Sequence, residues 1–308
     1  KKTNPDKVRN SFQRDYDRII FSSAFRRLQN KTQVFPLPGA VFVHNRLTHS
    51  LEVASVGRSL GKYAGDAIAD KYPDETEEFR DFYKYELSSV IAAACLAHDI
   101  GNPPFGHSGE DAIRTYFEQL EGDARKTIHD ALSPQQVKDF ERFEGNSNAL
   151  RVLTKDNGGE YNLTYTTLAS IVKYPCSSGE GFSHKTTGLI ATKKSGFFDS
   201  ELKEYTTIAH TLGIPKTRGY NSVYARHPFV YLTEAADDIC YRIIDMEDAH
   251  RLGIVSIEKI KELFLPFFEN APGYLDRDYV NAKIEAMPDA NRRIGYLRAV
   301  WIGLMTEK

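Results

Sequence analysis

Hydrophobic positions along the chain recur mainly at helical spacing. From Ile113 to Leu120, and again from Phe229 to Ile243, apolar residues return every three or four positions, which is typical of one face of an α-helix. The stretch Leu87–Ala97 is almost continuously apolar and rich in Ala. Because it holds few β-branched residues, it predicts a helix buried on all sides rather than a strand.

Strand-like alternation is scarce. Residues 32–43 contain two short apolar runs around a Pro-Gly pair, which predicts at most a short hairpin. Residues 174–192 are rich in Gly, Ser and Thr and predict a long loop, for which we expect order only against a neighbouring chain or a bound ligand. The pattern as a whole predicts an all-α fold with long loops, with one domain over residues 1–250 and a helical, incomplete C-terminal extension over residues 251–308.

Composition narrows the class of protein. The 308 residues are 41% hydrophobic and 27% charged, as in ordinary globular proteins, and no apolar run of about 18 residues predicts a membrane span. The cysteines Cys95, Cys176 and Cys240 are odd in number and far apart. They favour a reduced, cytoplasmic setting over a disulfide framework.

Charge is unevenly distributed although the net charge is −2, which argues against a simple nucleic-acid coat protein. Residues 1–62 hold 12 Lys and Arg against 4 Asp and Glu, whereas residues 63–123 hold 4 against 14. A basic segment next to an acidic one suits a polyanionic ligand, since the basic side chains can bind the ligand while carboxylates hold a metal ion that bridges to it. Two differently charged, solvated surfaces would give the same pattern.

Chemistry concentrates where the buried helix ends, in the segment Leu96–Glu110. His98 and Asp99 follow the apolar run directly, and a loop rich in Gly and Pro comes next. Burying an imidazole beside a carboxylate is costly unless a metal ion or hydrogen bonds compensate. Taken alone, the His-Asp pair is better explained as a helix cap, with His98 hydrogen-bonded to a carbonyl oxygen.

Two distant elements strengthen the metal interpretation. His49 lies near the start of an amphipathic helix, and Asp237 and Asp238 interrupt an otherwise apolar helix. His49, His98, Asp99 and Asp237 would form a site with two imidazoles and two carboxylates. Such ligands without thiolate indicate Mg, Mn or Fe rather than a structural zinc site.

The order H…HD…D resembles that of HD-domain metal-dependent phosphohydrolases. The surrounding residues resemble the deoxyguanosine triphosphate triphosphohydrolase family more specifically. The matching strings run in order from about residue 9 to about residue 250, and they are Asp17-Arg18-Ile19-Ile20, Phe25-Arg26-Arg27-Leu28-Gln29, Lys31-Thr32-Gln33-Val34-Phe35, Arg46-Leu47-Thr48-His49-Ser50, His98–His107 and Glu234–Ile239.

The resemblance implies an HD-domain helical phosphohydrolase fold and a reaction. Water attacks the α-phosphorus of a deoxynucleoside triphosphate, dGTP above all, and inorganic triphosphate and the deoxynucleoside are released. It also implies that His49, His98, Asp99 and Asp237 bind the metal. His107 and Glu110 occupy the positions of the family's catalytic His and Glu.

Substrate-binding residues follow from the same resemblance. It implies that Tyr241, Asp245 and Gln33 contact the sugar, and it favours Asp237 over Asp238 because Tyr241 and Asp245 then share its helix face. Arg46 and Lys173 match positions that bind the polyphosphate, and Asn146 lies in a further motif near the site.

Two alternatives stay open at this point. One is another HD phosphohydrolase, acting on nucleoside monophosphates or cyclic nucleotides, and the other is a regulatory protein that binds nucleic acid. Some relatives bind single-stranded DNA, and the basic residues 1–62 permit it. The resemblance also implies homo-oligomers, often hexamers, which the 35 Phe and Tyr residues are compatible with.

Overall fold

The computed structural model of the chain describes residues 9–32, 44–155, 161–269, 271 and 275–307. These ranges are mostly helical, and in place of a sheet they contain four isolated β-bridges. None of their helices has the length and apolar character that crossing a membrane requires. The predicted all-α fold is confirmed.

Sixteen α-helices occur within the described ranges. They are α1 (Ser11–Phe21), α2 (Ser23–Arg26), α3 (Arg46–Lys71), α4 (Glu77–Asp81), α5 (Leu87–Ala97), α6 (Gly106–Glu118), α7 (Gly122–Ala131), α8 (Pro134–Glu141), α9 (Gly145–Thr154), α10 (Tyr165–Ile171), α11 (His184–Thr187), α12 (Leu202–Thr211), α13 (Val230–Arg251), α14 (Ile257–Phe264), α15 (Arg277–Glu285) and α16 (Ala290–Glu307). Shorter 3-10 or π turns lie at Arg27–Asn30, Phe82–Glu86, Ile190–Thr192, Asp199–Glu201 and Leu265–Phe268.

Helix α5 is the centre of the core, as its apolar run predicts. Every residue from Val90 to Ala97 is buried, and α1, α3, α10 and α13 pack around the helix. Helix α3 approaches it closely because Gly57, Gly61 and Gly65 fall four residues apart on one face. A Cβ at Gly57 would lie 2.4 Å from the Cys95 sulfur, so a larger residue there would push the two helices apart.

A capping box sets the start of α3. The Asn45 side chain accepts a hydrogen bond from the Thr48 backbone N–H at 2.9 Å, and the Thr48 hydroxyl oxygen accepts one from the Asn45 N–H at 3.2 Å. The helix therefore begins at Arg46, which places both Arg46 and His49 in its first turn.

The C-terminal helices share the core of the preceding residues. The ring of Trp301 packs against Phe264, and the buried carboxylate of Glu247 pairs with Arg251 and with Arg298, which joins α13 to α16. Nothing in these contacts separates a domain at residue 250, and that division stays a prediction.

The loop over residues 174–192 is ordered by its own chain. The Glu180 carboxylate accepts hydrogen bonds from the backbone N–H groups of Asn221 and Ser222, at 2.8 and 2.5 Å, and the hydroxyls of Ser177 and Ser222 lie 2.6 Å apart. The expectation that this loop orders only against a neighbour or a ligand is wrong.

Residues 33–43, which carry the predicted hairpin and Gln33, lie outside the described residues.

Candidate active site

Three helices bring together two imidazoles and a carboxylate. His49 comes from the first turn of α3, His98 directly follows α5, and Asp237 lies in the middle of α13. The Nε2 atom of His49 lies 3.1 Å from Oδ1 of Asp237, and that of His98 lies 3.5 Å from the same oxygen. One potential ligand atom from each residue falls within 4.8 Å of the others, so this group can hold a metal ion.

The protonation of His98 supports a cation at this point. Its Nδ1 lies 2.7 Å from the Cys95 carbonyl oxygen, which can only accept a hydrogen bond, so Nδ1 carries a proton. The Nε2 atom is buried and has no hydrogen-bond partner among the described residues. A ring nitrogen so oriented beside a carboxylate is suited to bind a metal.

The carboxylates make the field here strongly negative. Burial alone would lower the pKa of His98, but Asp99 and Asp237 raise it to about 9. Burial alone would raise the pKa of Asp237, yet His98 and His49 lower it well below its ordinary value. The raised pKa of His98 shows that the two carboxylates stabilise positive charge at this point, and the lowered pKa of Asp237 shows that its carboxylate stays ionised.

Asp99 lies beside the three-residue group but is turned towards other partners. Its Oδ2 accepts a hydrogen bond from Arg46 at 2.5 Å, and its Oδ1 accepts one from the Asn102 amide at 2.5 Å. Oδ1 lies 3.6 Å from Nε2 of His98. The structure therefore places Asp99 next to the group, and its role as a metal ligand stays a prediction.

His107 and Glu110 lie on the first turns of α6, three residues apart. His107 is exposed, while Glu110 is buried. The Glu110 Oε1 accepts a hydrogen bond from the Gly145 backbone N–H at 2.8 Å, and its Oε2 lies 3.5 Å from Arg114 and 3.6 Å from Lys194. Helix α6 thus presents one exposed imidazole and one hydrogen-bonded, buried carboxylate to the same cavity.

A cavity of about 760 Å³ connects these side chains. Its volume is within the range of small-molecule sites. The predicted site residues on its wall are Arg46, His49, His98, Asp99, His107, Glu110, Asn146, Lys173, Asp237 and Tyr241. Asp245 is not on this wall but lies four positions after Tyr241 on α13, and Gln33 lies outside the described residues.

Asp237 and Asp238 both line the cavity, but they differ in surroundings. Asp237 contacts the two imidazoles, whereas the Asp238 side chain is exposed on the next position of α13. Lys173, in the segment after α10, lies 3.1 Å from a carboxylate oxygen of Glu234, which also pairs with Arg226. Burial lowers the pKa of Lys173, but Tyr174 and Glu234 raise it overall, so its ammonium stays charged.

Several wall residues were not predicted from the sequence as site residues, among them Asn102, Glu144 and Lys194. Asn102 lies inside the string His98–His107, and Glu144 lies two positions before the predicted Asn146, so both lie beside residues that the sequence did single out. Lys194 lies in a loop whose sequence carries no signal beyond two adjacent lysines. It reaches the cavity because the Ser195 and Ser147 hydroxyls, 2.9 Å apart, join this loop to α9.

Comparisons with known proteins agree with this geometry. Residues 46–177 match the family model described as HD domain. The chain is 44% identical over 269 residues to a deoxyguanosinetriphosphate triphosphohydrolase-like protein of Pseudomonas aeruginosa, covering 85% of this chain and 57% of that protein. A protein of the same description from Synechocystis sp. is 43% identical over 280 residues, covering 86% and 61% of the two chains.

A deoxyguanosinetriphosphate triphosphohydrolase of Cronobacter sakazakii is 35% identical over 286 residues, covering 86% of this chain and 55% of that enzyme. The chain therefore spans between half and two thirds of the length of these relatives.

The helical fold and the converging His, His and Asp side chains define an HD-domain protein with a candidate metal site. Within that class, the chain belongs to the family of deoxyguanosinetriphosphate triphosphohydrolase-like proteins. The family predicted from the sequence strings is confirmed.

Proposed function

We propose that this protein is a metal-dependent triphosphohydrolase that cleaves dGTP, and other deoxynucleoside triphosphates to a lesser extent, into deoxynucleoside and inorganic triphosphate. The observation that carries the proposal is one cavity whose wall combines the group of His49, His98 and Asp237 with several cations. A metal site beside an array of positive side chains is what a nucleoside polyphosphate requires.

The proposed cofactor is a divalent ion, Mg or Mn, with Fe as a further candidate. His49, His98 and Asp237 would hold it, and Asp99 would complete the set by turning from Asn102. The buried, unpartnered Nε2 of His98 supports this fit. When bound, the ion polarises a phosphoryl oxygen and favours ionisation of water.

Cleavage requires a water oxygen to bond to the α-phosphorus while the bond from phosphorus to O5′ breaks. The water loses a proton and O5′ gains one. We assign these proton transfers to His107 and Glu110. The exposed imidazole can approach the substrate, and the anchored carboxylate, three residues later on α6, can orient that imidazole or accept its proton.

Cations on the cavity wall would bind the polyphosphate. Lys173 and Lys194 each carry an ammonium at the wall, and Arg46 presents a guanidinium beside Asp99. Asn146 adds an amide, which now donates to Glu144 at 2.8 Å. A nucleoside monophosphate would not need several such groups, so this array favours a triphosphate over the monophosphates and cyclic nucleotides of other HD phosphohydrolases.

Selection of deoxyribose is assigned to the sugar contacts. Tyr241 lines the cavity, and Asp245 lies four residues later on α13, on the same face of that helix. A tyrosine ring packed beneath C2′ would leave no room for a ribose hydroxyl. Gln33 completes this set in the proposal.

The reaction is tested by incubating the chain with Mn²⁺ or Mg²⁺ and each of the four deoxynucleoside triphosphates or GTP. We expect triphosphate as the first product, with dGTP turned over fastest. Pyrophosphate or orthophosphate as the first product would contradict the proposed reaction. Binding of single-stranded DNA without turnover of any nucleotide would support the regulatory alternative instead.

The proposal also includes a cytoplasmic location and a homo-oligomeric assembly. All three cysteines are buried and unpaired, which is compatible with a reducing cytoplasm. The family resemblance supports a homo-oligomer, often a hexamer, and light scattering of the protein at several concentrations tests it. A constant mass of one subunit would contradict the assembly.

A further inference from the structure

Glu144 is a buried carboxylate that belongs to the wall of the cavity. It is the N-cap residue of α9 and its side chain has no exposed surface, yet that side chain makes no capping hydrogen bond. Burying a carboxylate is costly unless its oxygens are paired or hydrogen-bonded. Three side chains donate to it, and two of them, Asn146 and Lys194, line the cavity.

The donors divide between the two oxygens of Glu144. Oε1 accepts hydrogen bonds from the Asn146 amide at 2.8 Å and from the Lys194 ammonium at 2.9 Å, while Oε2 accepts one from Arg114 at 3.0 Å. Asn146 and Lys194 are groups that we assign to the polyphosphate. Glu144 therefore contacts both of them directly.

The same two cations also contact Glu110. Its Oε2 lies 3.6 Å from Lys194 and 3.5 Å from Arg114, farther than the corresponding distances to Glu144. Two cations thus bridge two carboxylates, and the stronger contacts go to Glu144. This sharing keeps Glu110 from being held in close ion pairs by both cations.

We infer that Glu144 is a positioning residue that aims Lys194 and Asn146 at the polyphosphate and, through Arg114, leaves Glu110 free for its role. This inference rests on the proposed function. A purely structural anchor would need none of these particular partners, because any buried donor could satisfy it. The prediction is therefore that loss of the Glu144 charge changes substrate binding and turnover, not stability alone.

The test compares Glu144→Gln with the unsubstituted chain in steady-state hydrolysis of dGTP with Mn²⁺. We expect KM to rise about tenfold, because a loss of roughly 1.4 kcal/mol in the charge-assisted contacts that hold Lys194 and Asn146 corresponds to that factor. We also expect kcat to fall, because both cations then turn to Glu110. Unchanged KM and kcat in the folded variant would overturn the inference.

A matched control separates positioning from structure. Glu247 is also fully buried and paired with two arginines, but it is not on the cavity wall. Glu247→Gln should lower the melting temperature and leave KM unchanged. If it raised KM as much as Glu144→Gln does, the effect would reflect general destabilisation and the inference would fail.

A double-mutant cycle tests whether Glu144 affects substrate binding through its contact with Lys194. In a Lys194→Met background, Glu144→Gln should raise KM far less than it does alone, since its main partner is already absent. Fully additive effects would contradict the route. If Glu144→Gln does not fold, Glu144→Asp keeps the charge on a shorter side chain. A wild-type KM in Glu144→Asp would then overturn the inference, and a raised KM would support it.

Binding of inorganic triphosphate by calorimetry distinguishes the two proposals. If the unsubstituted chain hydrolyses no nucleotide, the proposed function fails. The inference about Glu144 still holds if the chain binds triphosphate and Glu144→Gln weakens that binding about tenfold. Equal binding by both proteins, or no binding by either, would overturn it.

Discussion

Replacing Asp237 by Ala tests the metal site most directly, because the next residue provides a matched control. Asp237 contacts both His49 and His98 through Oδ1, whereas Asp238 is exposed one position further along α13. Asp237→Ala removes one of the three converging ligands and the only negative charge among them. Asp238→Ala removes a carboxylate of equal charge and leaves the three ligands in place.

The expected size of the effect follows from linkage between binding and folding. A metal present at about 100 times its dissociation constant stabilises the folded chain by about 2.7 kcal/mol. The entropy of unfolding is about 2.1 cal/mol/K per residue, or roughly 0.65 kcal/mol/K for this chain of 308 residues. The melting temperature of the unsubstituted protein should therefore rise by about 4 °C. The gain should persist in Asp238→Ala and fall below about 1 °C in Asp237→Ala.

The assay is thermal unfolding with Mn²⁺ at increasing concentration, with each variant measured against its own baseline in a chelator. This readout does not depend on turnover. Hydrolysis of dGTP provides a second readout, and metal-dependent activity should disappear in Asp237→Ala and largely remain in Asp238→Ala. A full thermal gain in Asp237→Ala, or its loss in Asp238→Ala, would refute the assignment of the ligands.

Three further predictions concern pH, packing and sugar selection. Burial raises the pKa of Asp139 from 3.8 to about 6, so ionising this carboxyl group lowers the free energy of unfolding as the pH rises from about 4 to about 6. In urea unfolding, the free energy of unfolding of the native chain should exceed that of Asp139→Asn by less at pH 7 than at pH 4.5. A difference that is the same at both pH values would contradict this prediction. Gly101→Ala would put a Cβ 2.1 Å from the Ala149 backbone nitrogen and should destabilise the chain by about 1–3 kcal/mol. Gly303→Ala, on α16 with open space around it, should instead stabilise the chain by about 0.5–1 kcal/mol. Equal melting temperatures of the two variants would contradict the close packing at Gly101. Tyr241→Ala should raise the turnover of GTP relative to dGTP by about tenfold, whereas an unchanged ratio would exclude the ring as the barrier to ribose.

Much of the helical framework is a local property of the chain. The run Leu87–Ala97 predicts helix α5 with the same bounds that the structure has, because a long apolar segment rich in Ala can be buried only as a helix within an all-helical core. The periodicity from Phe229 to Ile243 likewise predicts α13, although that helix continues to Arg251. The strings around His49, His98 and Asp237 identified the family before any of their distances were known.

The arrangement of the site depends on contacts between residues far apart in sequence. Asp237 and Asp238 are chemically identical neighbours, and only the packing of α13 against α3 and α5 turns Asp237 towards the two imidazoles. Asp99, predicted as a fourth ligand, is drawn to Arg46 because that guanidinium lies in the first turn of α3.

Lys194 and Glu144 are fifty positions apart, and they meet because hydrogen bonds hold the intervening loop against α9. Periodicity reports which face of a helix is buried, since burial follows from the spacing of apolar residues. Periodicity does not indicate which charged side chains face one another, because those contacts depend on how whole helices pack in the tertiary structure.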